Sequence, residues 1–358
     1  MGKLTIGGST ASPISDLYAR AWRQLPLSIP DSSLLRVLLR VVAGLIVRFQ
    51  GVGREALFLT RKKTRKPSAR LVVIIPTLGR GGLVTRLLAH LEGQSRLPDE
   101  VILSAPDETH IETLRRYRFP VRTIFGRTGL AAQRNNALRS VLGRFEIVTF
   151  FDDDFVPADD YLEGVCRAFE GHRDWVVVMG RVARDGACTA GLDWEEGLFA
   201  LNLPERDPPT GVADHVGAYG CNMSIRAAAI GDLRFDERLP LYGWQEDIDF
   251  TSQLRKKGRV VRVDVIRGVH LGAKSGRING MRFGYSQVAN PLYLIRKGTV
   301  PPRFAMRLML RNIAANLSRS LWPEAYIDRR GRLYGNLLAI SHLLLGRIEP
   351  EYILRMRK

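Results

Sequence analysis

Three aspartates in a row close an apolar run, Phe150-Phe151-Asp152-Asp153-Asp154. Side chains alternate along a strand, so Asp152 and Asp154 project to one side, where like charges repel unless a cation lies between them. Carboxylates with open coordination positions suit Mg²⁺ or Mn²⁺, and such an ion can in turn hold a diphosphate. Pro157, Asp159 and Asp160 follow, so the run would also serve as a solvated turn or the acidic start of a helix. A second cluster, Gly243-Trp244-Gln245-Glu246-Asp247-Ile248-Asp249, opens a helical pattern that runs to Lys257, with Gly258 as its C-cap. Asp247 near that helix N-terminus would be held ionised, the state a general base needs to accept a proton from a hydroxyl. Taken alone, plain N-terminal capping accounts for the cluster more simply.

The elements that must position these acids alternate between strand and helix. Leu71–Ile75 (LVVII) is a β-branched run stopped by Pro76 and reads as a buried strand. The turn Gly79–Gly82 follows, and then Leu83, Val84, Leu87, Leu88 and Leu91 share one face of a helix. Strands at Glu100–Ser104, Val121–Phe125, Glu146–Phe151 and Trp175–Arg181, with a helix from Ala131 to Leu142, continue the pattern. Such alternation predicts an α/β fold with a mostly parallel sheet and right-handed crossovers. Ligands of that fold class bind outside the carboxyl ends of the strands, so chemistry belongs in the loops after Ile75, Ser104 and Phe151.

The chain has 358 residues and a formal charge of +18, confined to its ends. Residues 1–70 carry net +10 and residues 275–358 net +11, against net −3 for residues 71–274. Both arms are also apolar. Arg36, Arg40, Gly44 and Arg48 share one side of the greasy run Leu34–Val47. Arg303, Arg307 and Arg311 repeat the device, with Phe304, Leu308, Leu310, Ile313 and Leu317 elsewhere on the helix. A basic stripe on an apolar helix suits the surface of an anionic bilayer; packing on a core with the arginines toward water is the plainer use. Neither arm interleaves aromatics with its basic residues, so no nucleic acid partner is expected. Cys166, Cys188 and Cys221 are odd in number and lack metal-ligand spacing, which argues for a reducing compartment. The longest uncharged run considered, Leu333–Gly346, has 14 residues, short of the ~18 a spanning helix needs. With no basic-then-apolar start, the chain is expected to be unprocessed and cytoplasmic. Three regions result: an amphipathic N-terminal arm and linker (1–70), an α/β nucleotide-binding domain (71–274) and a basic helical, membrane-associating C-terminal region (275–358).

The two acid clusters, in this order and spacing, resemble the family 2 glycosyltransferases of GT-A (Rossmann-like) fold. The resemblance covers Leu71 to Lys297 and rests on LVVIIPTLGR, LEGQSRLPDEVIL, GLAAQRNNAL, FFDDDFVP, GCNMSIR, FDERLPLYGWQEDIDF and ANPLYLIRKG. It implies an inverting transfer of one sugar from a nucleotide-sugar, a UDP-sugar first among donors, to a hydroxyl of a lipid-linked or oligosaccharide acceptor in bacterial surface-polysaccharide or lipopolysaccharide assembly. It implies Asp247 as catalytic base and a divalent metal (Mg²⁺ or Mn²⁺) on Asp154 and Asp152, with His270 as a further ligand. On the donor side it implies Pro76, Thr77, Arg80, Asp107, Arg134, Asp152 and Asp153, and on the acceptor side Asn222, Trp244 and Glu246. The arms would then hold the enzyme peripherally on the cytoplasmic face of the inner membrane.

The sequence departs from the family pattern in two loops. Ser104-Ala105-Pro106-Asp107-Glu108 stands where an Asp-Asp-Gly-Ser type turn is usual, which shifts Asp107 from the nucleobase-holding position. Leu78-Gly79-Arg80 replaces an aromatic and Asn. The Gln-x-x-Arg-Trp signature of processive synthases is absent, which favours single transfer over polymerisation. Two other classes fit less well. A sugar-nucleotidyltransferase would begin with a Gly-x-Gly-Thr-Arg type loop and a catalytic Lys, yet no Lys lies between Lys66 and Lys256. A non-catalytic membrane-attached scaffold would have no need of Asp152, Asp154 and Asp247.

Overall fold

The computed structural model describes residues 69–274 and 279–356. The chain divides after Arg65, and these residues belong to the second unit, Lys66–Lys358. The amphipathic arm read at 1–70, with its Arg36–Arg48 stripe, lies outside the described residues.

One nine-stranded sheet runs through this unit in the order β3-β2-β1-β4-β8-β6-β9-β5, with β7 on β9. The strands are β1 Leu71–Pro76, β2 Glu100–Ala105, β3 Val121–Phe125, β4 Ile147–Phe150, β5 Phe155–Pro157, β6 Trp175–Asp185, β7 Val212–Asp214, β8 Met223–Arg226 and β9 Arg259–His270. The first half is parallel, as the alternation predicts: β1 pairs with β2 and β4, and β2 with β3. Every residue of β1 is buried because both faces are covered. Leu71, Val73 and Ile75 join one core with α1 (Gly81–Leu91), while Val72 and Ile74 join another with α2 (Leu130–Val141). An unbroken β-branched run is what a strand packed on both faces requires. The second half is mixed. β8 enters antiparallel between β4 and β6, so that Thr149 and Ser224 share a buried hydroxyl contact of 2.9 Å.

The remaining helices are α3 Tyr161–Gly171, α4 Trp194–Asn202, the short α5 Ala227–Ile230, α6 Glu246–Leu254, α7 Gly280–Lys297, α8 Pro302–Arg319 and α9 Arg329–Leu344. α6 stops three residues before Lys257, capped at Arg255, which corrects the sequence reading of Gly258 as a C-cap. Gly258 serves a different need: a Cβ there would lie 2.3 Å from the Asp174 carbonyl oxygen, so only glycine lets the chain pass into β9.

α7, α8 and α9 pack on one another around Tyr285, Val288, Ala289, Met309 and Ala339. A buried amide knot ties them. Asn316 donates to Gln287 (2.7 Å) and Asn336 (2.9 Å), and Asn336 to the Gly284 carbonyl (2.7 Å). The layer is latched to the sheet domain through α6, where Asp249 takes the Lys297 ammonium at 2.6 Å and the Thr299 hydroxyl. It therefore forms one wall of the site. No helix of the described residues is long and apolar enough to cross a membrane.

Candidate active site

The aspartate run leaves β4 at the carboxyl end of the sheet, where the fold class places ligands. Its three carboxylates go to three different environments. Asp153 turns inward, accepting from the Thr77 hydroxyl (2.7 Å) and the Arg80 guanidinium (2.8 Å). Burial pushes its carboxyl up to about 7, against the pull of Arg80. Asp154 accepts from the Ala273 N–H at 2.8 Å and lies 3.4 Å from both His270 Nε2 and Arg80 Nη1. Burial alone would raise it, but His270, Arg80 and that N–H hold it down to about 2. Asp152 is the most open of the three and receives Arg134 at 2.9 Å.

Asp152, Asp154 and His270 each offer one ligand atom, all within 4.8 Å of one another. Two carboxylates and an imidazole form a donor set that fits Mn²⁺ or Mg²⁺. The local charge asks for a cation: burial disfavours a charged imidazole, yet Asp154 and Asp185 push His270 up to about 10. His270 is also oriented for ligation. Its Nδ1 meets Asp185 at 2.9 Å and the Tyr219 hydroxyl at 3.1 Å, leaving Nε2 toward Asp154. Sequence reasoning did not single out Asp185 or Tyr219. The signal is positional, since Asp185 of β6 lies directly across the ladder from His270 of β9.

The second acid cluster also divides. Glu246 is buried and ion-paired with Arg134, Asp249 serves the α7 latch, and Asp247 faces the cleft. Asp247 is fixed by two backbone donors, Gly220 N–H at 2.7 Å and Ile248 N–H at 2.8 Å. Burial raises its pKa, with Arg134 pulling the other way, so the carboxyl is a stronger base than an ordinary aspartate. A Cβ at Gly220 would lie 2.9 Å from that carboxylate and 3.1 Å from the Arg134 guanidinium, so a larger residue would displace one of them.

Two cavities meet over these groups. One is lined by Pro76, Thr77, Arg80, Gln133, Asp152 and Asp153. The other is lined by Asp152, Trp244, Gln245, Glu246 and Asp247, with α7 and α8 opposite. Asp152 belongs to both. Most residues expected on the donor side therefore gather in the first cavity, and Trp244, Glu246 and Asp247 in the second.

Three expected residues do not fall where the resemblance put them. Arg134 has no exposed surface and borders the second cavity, not the first; it bridges Glu246, Asp152 and the Gly220 carbonyl. Asn222 is fully buried and donates to the Gly180 carbonyl (3.0 Å), so it braces β6 and lines neither cavity. Asp107 is exposed and caps its own turn through Thr109 N–H at 2.9 Å, outside both linings. One residue was missed. Gln245 sits in the left-handed region (φ 73°) with both side-chain amide atoms buried and unpartnered, on the wall of the second cavity. Neither amide atom has a hydrogen-bond partner among the described residues.

A mixed, largely parallel sheet flanked by helices, with a carboxylate–histidine cluster at its carboxyl edge, is a GT-A, Rossmann-like fold. Residues 72–226 match the family profile described as Glycosyl transferase family 2. The match ends before α6, so Asp247 lies beyond it. A search of curated protein sequences finds no match. Among solved structures, S. aureus TarS 1–349 in complex with UDP-GlcNAc aligns at 16% identity and a TM-score of 0.47, covering 79% of this chain and 82% of that one. A longer TarS structure is covered over 46% of its length. The mannosyltransferase PcManGT from Pyrobaculum calidifontis, with GDP-Man and Mn²⁺, aligns at 16% identity and 0.45, over 90% and 95%. GalNAc-T7 with UDP, GalNAc and Mn²⁺ aligns at 12% identity and 0.47, over 71% and 58%.

Proposed function

We propose that this chain is an inverting glycosyltransferase that moves one sugar from a nucleotide-sugar to a hydroxyl of a lipid-linked glycan, in assembly of a bacterial surface polysaccharide or lipopolysaccharide. The observation that carries the reading is the sharing of Asp152 between the two cavities, with Arg80 and Asp153 on one side and Asp247 on the other. A donor in the first cavity and an acceptor in the second would meet at that carboxylate. Asp247 accepts the acceptor's hydroxyl proton as its oxygen attacks the anomeric carbon; the bond to the diphosphate breaks on the opposite face, and configuration inverts. Arg80, between Asp153 and Asp154, sets a positive group beside the departing diphosphate. A divalent ion held by Asp152, Asp154 and His270 would offset charge on that leaving group. Trp244 and Gln245 orient the acceptor. The two basic arms favour an anionic membrane on the cytoplasmic face as the working surface.

The test is a panel of nucleotide-sugars, UDP-sugars first, scored for Mn²⁺-dependent thermal stabilisation and for release of nucleoside diphosphate with acceptor. One sugar-nucleotide should stabilise the protein only with metal. Pyrophosphate release from a nucleoside triphosphate and a sugar phosphate would indicate a nucleotidyltransferase instead. Asp154→Ala and Asp247→Asn chains that function in cells as well as wild type would indicate a scaffold.

A further inference from the structure

We infer that the outer face of α8 and the turn after it form a docking surface for an anionic lipid bilayer, which feeds the second cavity. The inference rests on the proposed reading that the acceptor is lipid-linked; the surface itself is read from the structure.

α8 carries four arginines and no carboxylate in its 18 residues. Arg303, Arg307 and Arg311 are exposed and form no ion pair with the described residues. The sequence alone suggested that apolar residues occupy the rest of the cylinder. The structure shows a different division. Phe304, Leu308 and Ile313 are half-buried, whereas Leu310 and Leu317 stand among the arginines, 56% and 60% exposed. Positions 310, 314 and 317 share one face at helical spacing, and the arginine stripe runs beside them. The turn beyond continues the apolar surface with Leu321 (67% exposed) and Trp322 (81%).

The nearby acids do not offset this charge. Glu324 is held by Arg319 and Arg329, and Asp328 caps α9 through the Gly331 N–H at 2.8 Å. Leucines and a tryptophan set in unpaired arginine match a bilayer interface, where the apolar tips enter the acyl boundary, Trp sits at headgroup level and the guanidinium groups meet lipid phosphates. A second copy of the chain fits poorly, because a two-fold contact would press two arginine stripes together.

The position supplies the functional link. Leu308 and Arg311 of the same helix line the second cavity that holds Asp247. Arg311 borders both the outward stripe and the cleft. A glycan whose phosphate-linked lipid stays in the membrane could therefore enter along α8 with its sugar toward Asp247.

The experiment uses the full chain with an environment-sensitive fluorophore at position 322 (Trp322→Cys), in a Cys188→Ser background because Cys188 is exposed. Vesicles of phosphatidylcholine with phosphatidylglycerol should blue-shift and brighten the probe, reversibly with salt, while phosphatidylcholine alone should not. In cosedimentation, Arg303→Glu/Arg307→Glu and Leu317→Asp/Leu321→Asp should each weaken anionic-vesicle binding by about tenfold. Both should keep Mn²⁺-dependent stabilisation by UDP or the preferred nucleotide-sugar, which shows that fold and donor site survive. An unshifted probe on vesicles that pellet the protein overturns the inference, as does absence of vesicle binding. So would a dimer, seen by light scattering without lipid, that Leu317→Asp/Leu321→Asp dissociates. Loss of nucleotide-sugar stabilisation in wild type would instead count against the transferase reading, independently of the lipid result.

Discussion

The two cavities that meet at Asp152 are built in opposite ways. The donor-side cavity draws on consecutive strand ends of the parallel half, and its polar groups are spent on one another. Thr77 and Arg80 hold Asp153, and Gln133 donates to the Thr77 carbonyl at 2.8 Å. The acceptor-side cavity is assembled from α6, α7 and α8. It has positive φ at Gln245 in its wall and leaves buried atoms of Gln245 and Glu246 without hydrogen-bond partners among the described residues. On the reading proposed above, the first cavity is organised before a donor arrives, while the second holds unsatisfied capacity for an acceptor. Affinity for the donor should thus be insensitive to substitutions on the acceptor side, and substitutions on the bridge between the sides should disturb both.

The largest effect is expected from Asp247→Asn, which should lower kcat by about 10²–10⁴ while leaving metal-dependent nucleotide-sugar stabilisation intact. The pH profile of wild type sharpens the point. Burial raises the Asp247 pKa, so the base is lost as pH falls through that raised value. The acid limb of kcat should therefore lie above the ordinary aspartate range and be absent in Asp247→Asn. Next comes the bridge. Arg134→Ala would strand Glu246 and Asp152, and calorimetry should show a loss of about 3–5 kcal/mol of stability. A fully stable variant would break the picture of two sides joined through one buried cation. Asp185→Asn should weaken Mn²⁺ binding, followed by titration, about 10–100-fold by loosening His270. The smallest effect belongs to Gln245→Ala, which should raise KM for acceptor by up to about tenfold with donor KM unchanged. An equal rise in donor KM would show that the two cavities are not separate.

Much of the donor side was legible because its signals are local. Buried strands of a parallel sheet appear as unbroken β-branched runs, and Leu87, Leu88 and Leu91 repeat at helical spacing. The aspartate run was legible for the same reason, as acids directly after such a strand. The acceptor side was less readable. The insertion of β8 between β4 and β6 depends on pairs about 75 positions apart on one side and about 45 on the other, which no periodicity encodes. The buried bridge made by Arg134, expected on the donor side, was not legible because its two acids lie 18 and 112 residues away. Asn222 stood in an expected motif, but burial against Gly180 gave it a bracing role.

Residue types and short-range spacing determined the parallel half-sheet, the acid clusters and the basic character of both ends, because side-chain alternation and helical pitch act within a few residues. Which acid joined the carboxylate–histidine cluster, faced the cleft, paired with Arg134 or latched α7 was decided only in the folded molecule. Burial removes water from each carboxylate, and the partner that replaces it comes from whatever distant segment the packing brings alongside. The same packing turned α8 so that Leu310 and Leu317 joined its arginines at the surface, a choice that the helix sequence leaves open.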